Sequence, residues 1–144
     1  MLNPLSSETE AIMSERFGHD CLITIGTSVQ NIPYLRAVNA IYRNGWFYFV
    51  TLSNSSKMKQ MEENPVTAIC GPWFNGHGTA MNLGSVFLKE NVEIYHSLQS
   101  SFESWMKEGN IISTDDTILC GIQMKTGTLY HEGKRYDLLF EKGK

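Results

Sequence analysis

Five residues in the first half of the chain have types and spacing that suit one piece of chemistry. Arg36, Thr51, Ser55, Ser56 and Lys57 combine a guanidinium, three hydroxyls and an ammonium. Set beside the free amides of a helix start, such groups form a cradle for a phosphate. Each group also has an ordinary use. Ser56 can cap a helix, Lys57 can face water, and Arg36 can pair with a carboxylate or lay its stem along the surface. Arg36 stands in a run that is apolar on both pleats, where a charge needs a specific counter-ion.

Other chemistry has little support. The chain contains no glycine-rich nucleotide loop, no His-Glu-x-x-His, no Cys-x-x-Cys and no Gly-x-Ser-x-Gly. His19, His77, His96 and His131 lack metal-ligand spacing, so no metal site is expected. His77, flanked by Gly76 and Gly78, is the nearest candidate for an acid or base, and it reads equally as a loop histidine. No catalytic residue can be named.

Composition sets the frame. The 144 residues fit one domain, 1–144, and 42% hydrophobic content is enough to fill a core. Twelve basic against 15 acidic residues give a net charge of −3 without a basic cluster, which argues against a nucleic-acid partner. No apolar run is long enough for a membrane span, and the first residues lack a secretory pattern. Cys21, Cys70 and Cys120 are widely spaced in apolar stretches and are expected to be buried thiols in a reducing compartment, the cytoplasm.

The elements that must position the five residues can be read from periodicity. Ser7 to Glu10 resembles a capping box opening a helix that ends at Gly18. Strands are expected over 21–27, 34–42 and 46–52, with a loop closed by Pro33 and a hairpin turn at Asn44-Gly45. A second helix runs from about Lys57 to Asn64, stopped by Pro65. Strands follow over 66–70 and 76–88 around a turn at 71–75. A helix is expected over 97–107, then short strands over 120–125, 128–131 and 136–140 broken at Thr126-Gly127 and Gly133-Lys134. Few βαβ crossovers are available, so the chain should close into a largely antiparallel barrel. The 34–42 strand carries Leu35, Ala37 and Ile41 on one face and Tyr34, Val38 and Tyr42 on the other. A strand apolar on both faces needs helices, a ligand or a partner subunit against its outer side.

These residues together resemble the pyridoxamine 5′-phosphate oxidase superfamily of FMN-binding split barrels. The likeness runs from about Thr24 to Leu88. It rests on Pro33-Tyr-Leu-Arg36-Ala-Val38, Gly45-Trp-Phe-Tyr-Phe-Val50-Thr51, Ser55-Ser-Lys57-Met-Lys-Gln60, and Asn64-Pro65-Val66 followed by Trp73 and Gly78-Thr79-Ala80. The resemblance implies a mainly β split barrel with a few short helices, and a homodimer with the cofactor at its interface. It implies that Arg36, Ser56 and Lys57, with Ser55, meet the FMN phosphate. Ala37 and Val38 would supply backbone beside the flavin, and Val50 and Thr51 would line the ring and ribityl chain. Thr79 falls near a position often held by a flavin-contacting glutamine.

Two departures narrow the activity. The vitamin B6 oxidases carry a lysine five residues after the strand arginine, where this chain has Ile41, and an Arg-x-His near the C-terminus, where it has neither residue. The sequence looks more like the small oxidase-like or general-stress flavoproteins. The expected function is an FMN-binding oxidoreductase acting on a small oxidised acceptor, with a nicotinamide or other electron donor. The alternative is a non-catalytic flavin- or haem-binding, storage or stress-response protein. The deazaflavin F420 is a third ligand that fits the same barrel.

Overall fold

A computed structural model describes residues 2–98 and 116–140. Its elements are β1 (Asn3–Pro4), α1 (Ser7–Phe17), β2 (Cys21–Val29), β3 (Ile32–Arg43), β4 (Trp46–Leu52), α2 (Ser56–Glu63), β5 (Val66–Gly71), β6 (Phe74–Ser85), β7 (Thr117–His131) and β8 (Lys134–Leu139). A further helical stretch covers 92–98. Strands pair in the order β7-β4-β3-β2-β5-β6, and β6 returns to β7, so six strands close a barrel. The barrel pairings are antiparallel, and β8 and β1 extend the sheet outward from β7, β1 in parallel. The expected mainly β barrel with a few short helices is the fold observed.

The pleat decides what enters the barrel. Ile23, Ile25 and Thr27 on β2 face Val38, Arg36 and Tyr34 across the ladder, and Phe47, Phe49 and Thr51 alternate inward on β4. Phe17, Phe47, Phe74 and Tyr42 pack edge to face or tilted in the core, with ring centroids 5.2–6.1 Å apart along that chain. Such contacts add specific geometry to the burial of large apolar area. The outer wall is used in two ways. Ile41, Leu119, Tyr48 and Val50 lie under Val86, Tyr95 and Leu98 in a second apolar cluster. Elsewhere Leu22, Leu35 and Val66 stay 65%, 76% and 57% exposed.

Several local expectations change. The N-cap of α1 is Ser6, not Ser7: Ser6 Oγ accepts from the Thr9 amide and Thr9 Oγ1 accepts from the Ser6 amide. Glu10 is then free to accept from the Tyr42 hydroxyl at 2.8 Å, tying α1 to β3. Pro33 closes no loop. The β2–β3 turn is Gln30-Asn31, both left-handed at φ 52° and 68°, and Pro33 lies within β3 opposite Ser28. Asn44-Gly45 turns as expected, at φ 49° and 87°. The turn after β5 is shorter than 71–75, because Phe74 already begins β6.

Thr126-Gly127 breaks no strand, and β7 runs through it. Gly127 is there for contact: a Cβ would stand 2.9 Å from the Phe74 ring. The helix expected over 97–107 falls outside the described residues beyond Leu98. Of the three cysteines only Cys120 is buried; Cys21 is half-buried and Cys70 is exposed, because it alternates outward on β5.

Candidate functional site

β3, β4 and α2 bring the basic and hydroxyl residues to one end of the barrel. Arg36 lies opposite Ile25, which is fully buried, so its side chain starts from the inner pleat. Thr27 and Thr51 are the last buried positions of β2 and β4, at 3% and 8% exposed. The chain leaves β4, and Ser55 caps α2 by accepting from the Met58 amide at 3.2 Å. The N-cap is therefore Ser55, and Ser56 is the first helical residue. The other first-turn amides of a helix have no intrahelical acceptor. Met58 and Met61 face the core and seat the helix across the barrel end.

Two hydrogen-bonded groups meet there. Lys57 Nζ donates to Thr51 Oγ1 at 2.9 Å, and Thr51 Oγ1 donates to Ser55 Oγ at 3.2 Å. Beside them Arg36 donates through Nη1 to Thr27 Oγ1 at 3.3 Å and through Nη2 to Gln60 Oε1 at 2.6 Å. Thr27 Oγ1 also donates to Gln60 Oε1 at 2.8 Å. Burial lowers the Lys57 pKa from its ordinary value, and the Arg36 charge lowers it further. Burial also lowers that of Arg36. The nearby Cys120 thiol is pushed up to about 12 by burial, against a smaller opposing pull from the Lys57 charge.

Among the described residues, neither Arg36 nor Lys57 forms an ion pair. Two half-buried cations thus sit together, and their hydrogen-bond partners among the described residues are neutral oxygens. Like charges in such a setting repel, and each has lost water. An anion placed between them would screen the repulsion and offset the lost hydration.

The nine residues singled out in the sequence are not all at this place. Arg36, Thr51, Ser55 and Lys57 join the cluster, and Ser56 adjoins it at the start of α2. Val38 is on the inner pleat against the core, whereas Ala37 points to the exposed outer wall. Val50 is also outward and packs in the cluster under Val86 and Tyr95. Thr79 lies opposite Val66 on the outer pleat, and no hydrogen bond joins it to the cluster among the described residues. His77 is likewise outward and exposed, with Nδ1 3.2 Å from Thr126 Oγ1. Thr27 and Gln60 carry no site role in the sequence reading, although Gln60 ends the Ser55–Gln60 run quoted for the resemblance. The alternation Ile23, Ile25, Thr27 was the available signal for the first, and the helical spacing from Lys57 for the second.

No group of three or more metal-ligating side chains occurs among the described residues. No described helix is long and apolar enough to cross a membrane.

Comparison with known proteins places the fold. No protein-family model and no curated protein matches the chain. Solved structures do. General Stress Protein 26 from Bacillus anthracis is similar with a TM-score of 0.66 at 14% identity, over 90% of this chain and 98% of that one. A NimC/NimA family protein from Clostridium acetobutylicum aligns with a TM-score of 0.65 at 18% identity, over 94% and 97% of the two chains. A FAD-binding protein from Mesorhizobium loti aligns with a TM-score of 0.63 at 12% identity, over 85% and 92%. The likeness shows a shared fold, a split β-barrel with a few short helices.

Proposed function

We propose that the cluster at the α2 end of the barrel holds the phosphate of FMN, and that the protein is an FMN-dependent oxidoreductase acting on a small oxidised acceptor. The observation that carries this reading is the pair Arg36 and Lys57, half-buried side by side without a carboxylate partner among the described residues. The donor set suits a phosphomonoester. Arg36 offers a planar fork, Lys57 a point charge, and the start of α2 unpaired amides. Bound FMN supplies hydride and single-electron transfer at its ring. The chain's own residues bind and orient. Ile41, where the vitamin B6 oxidases have a substrate-binding lysine, is buried in the outer apolar cluster, which supports an activity other than pyridoxamine phosphate oxidation.

A second reading is a protein that holds flavin or haem without turnover. It is favoured by the make-up of the cluster, whose hydrogen-bonding side chains include no carboxylate and no imidazole. Titration of apoprotein with FMN and riboflavin, followed by flavin fluorescence, tests the phosphate site; equal affinities would remove it. Mass spectrometry of the ligand released from purified protein separates FMN from FAD, deazaflavin and haem. Anaerobic addition of NADH or NADPH then separates the two readings, since only a reductase bleaches the flavin spectrum.

The proposed assembly is a homodimer with the cofactor at the interface. Support comes from the bare part of the outer wall. Leu35 and Ala68 flank Gly26, with Leu22 and Val66 beyond them, and no described segment covers these residues. A patch of this kind exceeds scattered surface apolar residues and suits an isologous contact. Sedimentation equilibrium of the FMN-loaded protein should give twice the chain mass, and a monomer would overturn the assembly.

A further inference from the structure

Gln60 is the residue on which Arg36 and Thr27 converge. Its Oε1 accepts from Arg36 Nη2 at 2.6 Å and from Thr27 Oγ1 at 2.8 Å. Gln60 lies three residues after Lys57, so both side chains leave the same face of α2. The hydrogen-bond pattern asks only for an acceptor. A glutamate would satisfy it equally well, in a stronger, charge-assisted bond to Arg36.

For the apoprotein a glutamate is the better electrostatic choice, because it would neutralise Arg36 and relieve the repulsion that lowers Lys57. The amide holds the guanidinium in place and leaves its charge uncompensated. Arg36 and Lys57 together then present two positive charges, and the neighbouring oxygens of Thr27, Thr51 and Ser55 are neutral. A phosphomonoester carries roughly 1.5 to 2 negative charges at neutral pH, whereas a diester carries about one.

We propose that Gln60, by anchoring Arg36 without neutralising it, makes this site select a dianionic phosphomonoester over a monoanionic phosphodiester of the same molecule. The inference rests on the phosphate-binding reading above and extends it to ligand charge. Gln60 is a positioning residue in this scheme, acting through Arg36.

The test uses three ligands with one ring system: FMN, riboflavin 4′,5′-cyclic phosphate and riboflavin. They carry two, one and no negative charges, and each is titrated into the parent, Gln60→Glu and Gln60→Leu at about pH 7.5, above the second phosphate ionisation near 6. The parent should bind FMN about tenfold or more tightly than the cyclic diester. Gln60→Glu should weaken FMN by about tenfold and abolish most of that preference, with riboflavin nearly unmoved. Gln60→Leu, which keeps both cations, should weaken the two phosphate ligands together and keep the preference.

Retention of the parent's preference in a folded Gln60→Glu protein overturns the proposal. Loss of the preference in Gln60→Leu also overturns it, because the residue would then act by shape, and this arm stands if Gln60→Glu fails to fold. Equal binding of all three ligands by the parent is a different failure, that of the phosphate site itself.

Discussion

Arg16 and Arg36 stand at opposite ends of the barrel and are used in different ways. Arg16, on the last turn of α1, donates to the carbonyls of Pro72, Trp73 and Tyr130 at 3.0–3.3 Å and lies 3.1 Å from His131 Nδ1. It staples α1 to the β5–β6 and β7–β8 turns, including Trp73 in its left-handed conformation at φ 54°. Its donors are spent on backbone carbonyls of the fold, the Trp73 carbonyl accepting from the Tyr130 amide as well. Arg36 donates to one hydroxyl and one amide, beside a like charge that raises the cost of keeping it there. The difference separates a structural arginine from one that, on the proposed reading, is held for a ligand. The first has its acceptors supplied by the fold, and the second is positioned by the fold and left charged.

Substitution at the two ends should separate affinity from stability. Arg36→Ala is expected to weaken FMN binding by about ten- to a hundredfold, since a charge-assisted hydrogen bond contributes about 1.5–3 kcal/mol and the bidentate donor is lost. Lys57→Ala should cost about tenfold, as a point charge replaced without loss of a fork. Riboflavin affinity and the thermal midpoint should change little in either variant. Equal losses for both ligands would mean that these side chains support the fold and that the contrast with Arg16 is false.

Arg16→Ala should do the reverse. Loss of its carbonyl contacts is expected to lower unfolding stability by about 1–2 kcal/mol, read by urea denaturation, with FMN affinity unchanged. Ser55→Ala removes an N-cap and should cost about 1 kcal/mol of stability. Because Ser55 also receives the Thr51 hydroxyl, it should weaken FMN modestly as well, which places it between the two classes.

The smallest effect is in the pH profile. The folded-state pKa of Lys57 is lowered, so below the ordinary lysine value of 10.5 the unfolded chain binds more protons there than the folded one. Lys57 therefore makes apoprotein stability rise with pH across the window just below 10.5. Burial is the main cause of the lowering, the Arg36 charge adds to it, and Cys120 opposes it in part. A Lys57→Met variant should show a flatter profile than the parent in that window. Saturating FMN should flatten the parent's own profile, because the anion restores the lysine's proton affinity. Superimposable profiles for parent and variant would show that Lys57 is not strained in the apoprotein.

Legibility followed the strength of local signals. Asn44-Gly45 between two aromatic and β-branched runs gave β4 to the residue, and the Asn-Ser-Ser before Lys57 located α2 within one residue. The Gln30-Asn31 turn was missed because neither residue is glycine, and only the β2–β3 ladder forces both into the left-handed region. Thr126-Gly127 looked like a break because a glycine required by a neighbouring ring is written the same way as one required by a turn. The cations of the site were legible from type and spacing. Thr27 and Gln60 were not, since a polar residue at a strand end or on a helix reads as surface until the barrel places it inside.

The way β7 closes the barrel has a consequence for how the molecule comes together in time. β7 pairs with β4, where Trp46 meets Gln123 and Leu52 meets Thr117, and along its other edge with β6. The β2–β3–β4 hairpins can form from neighbouring sequence, but the wall between β4 and β6 exists only once residues 117–131 have arrived. A chain still on the ribosome before that point carries two unpaired strand edges and an uncovered aromatic core. Loop closure across this separation must be met before its contacts reward it, so β7 is expected to dock late in folding. Until then the β4 and β6 edges are the places where two nascent chains would pair wrongly.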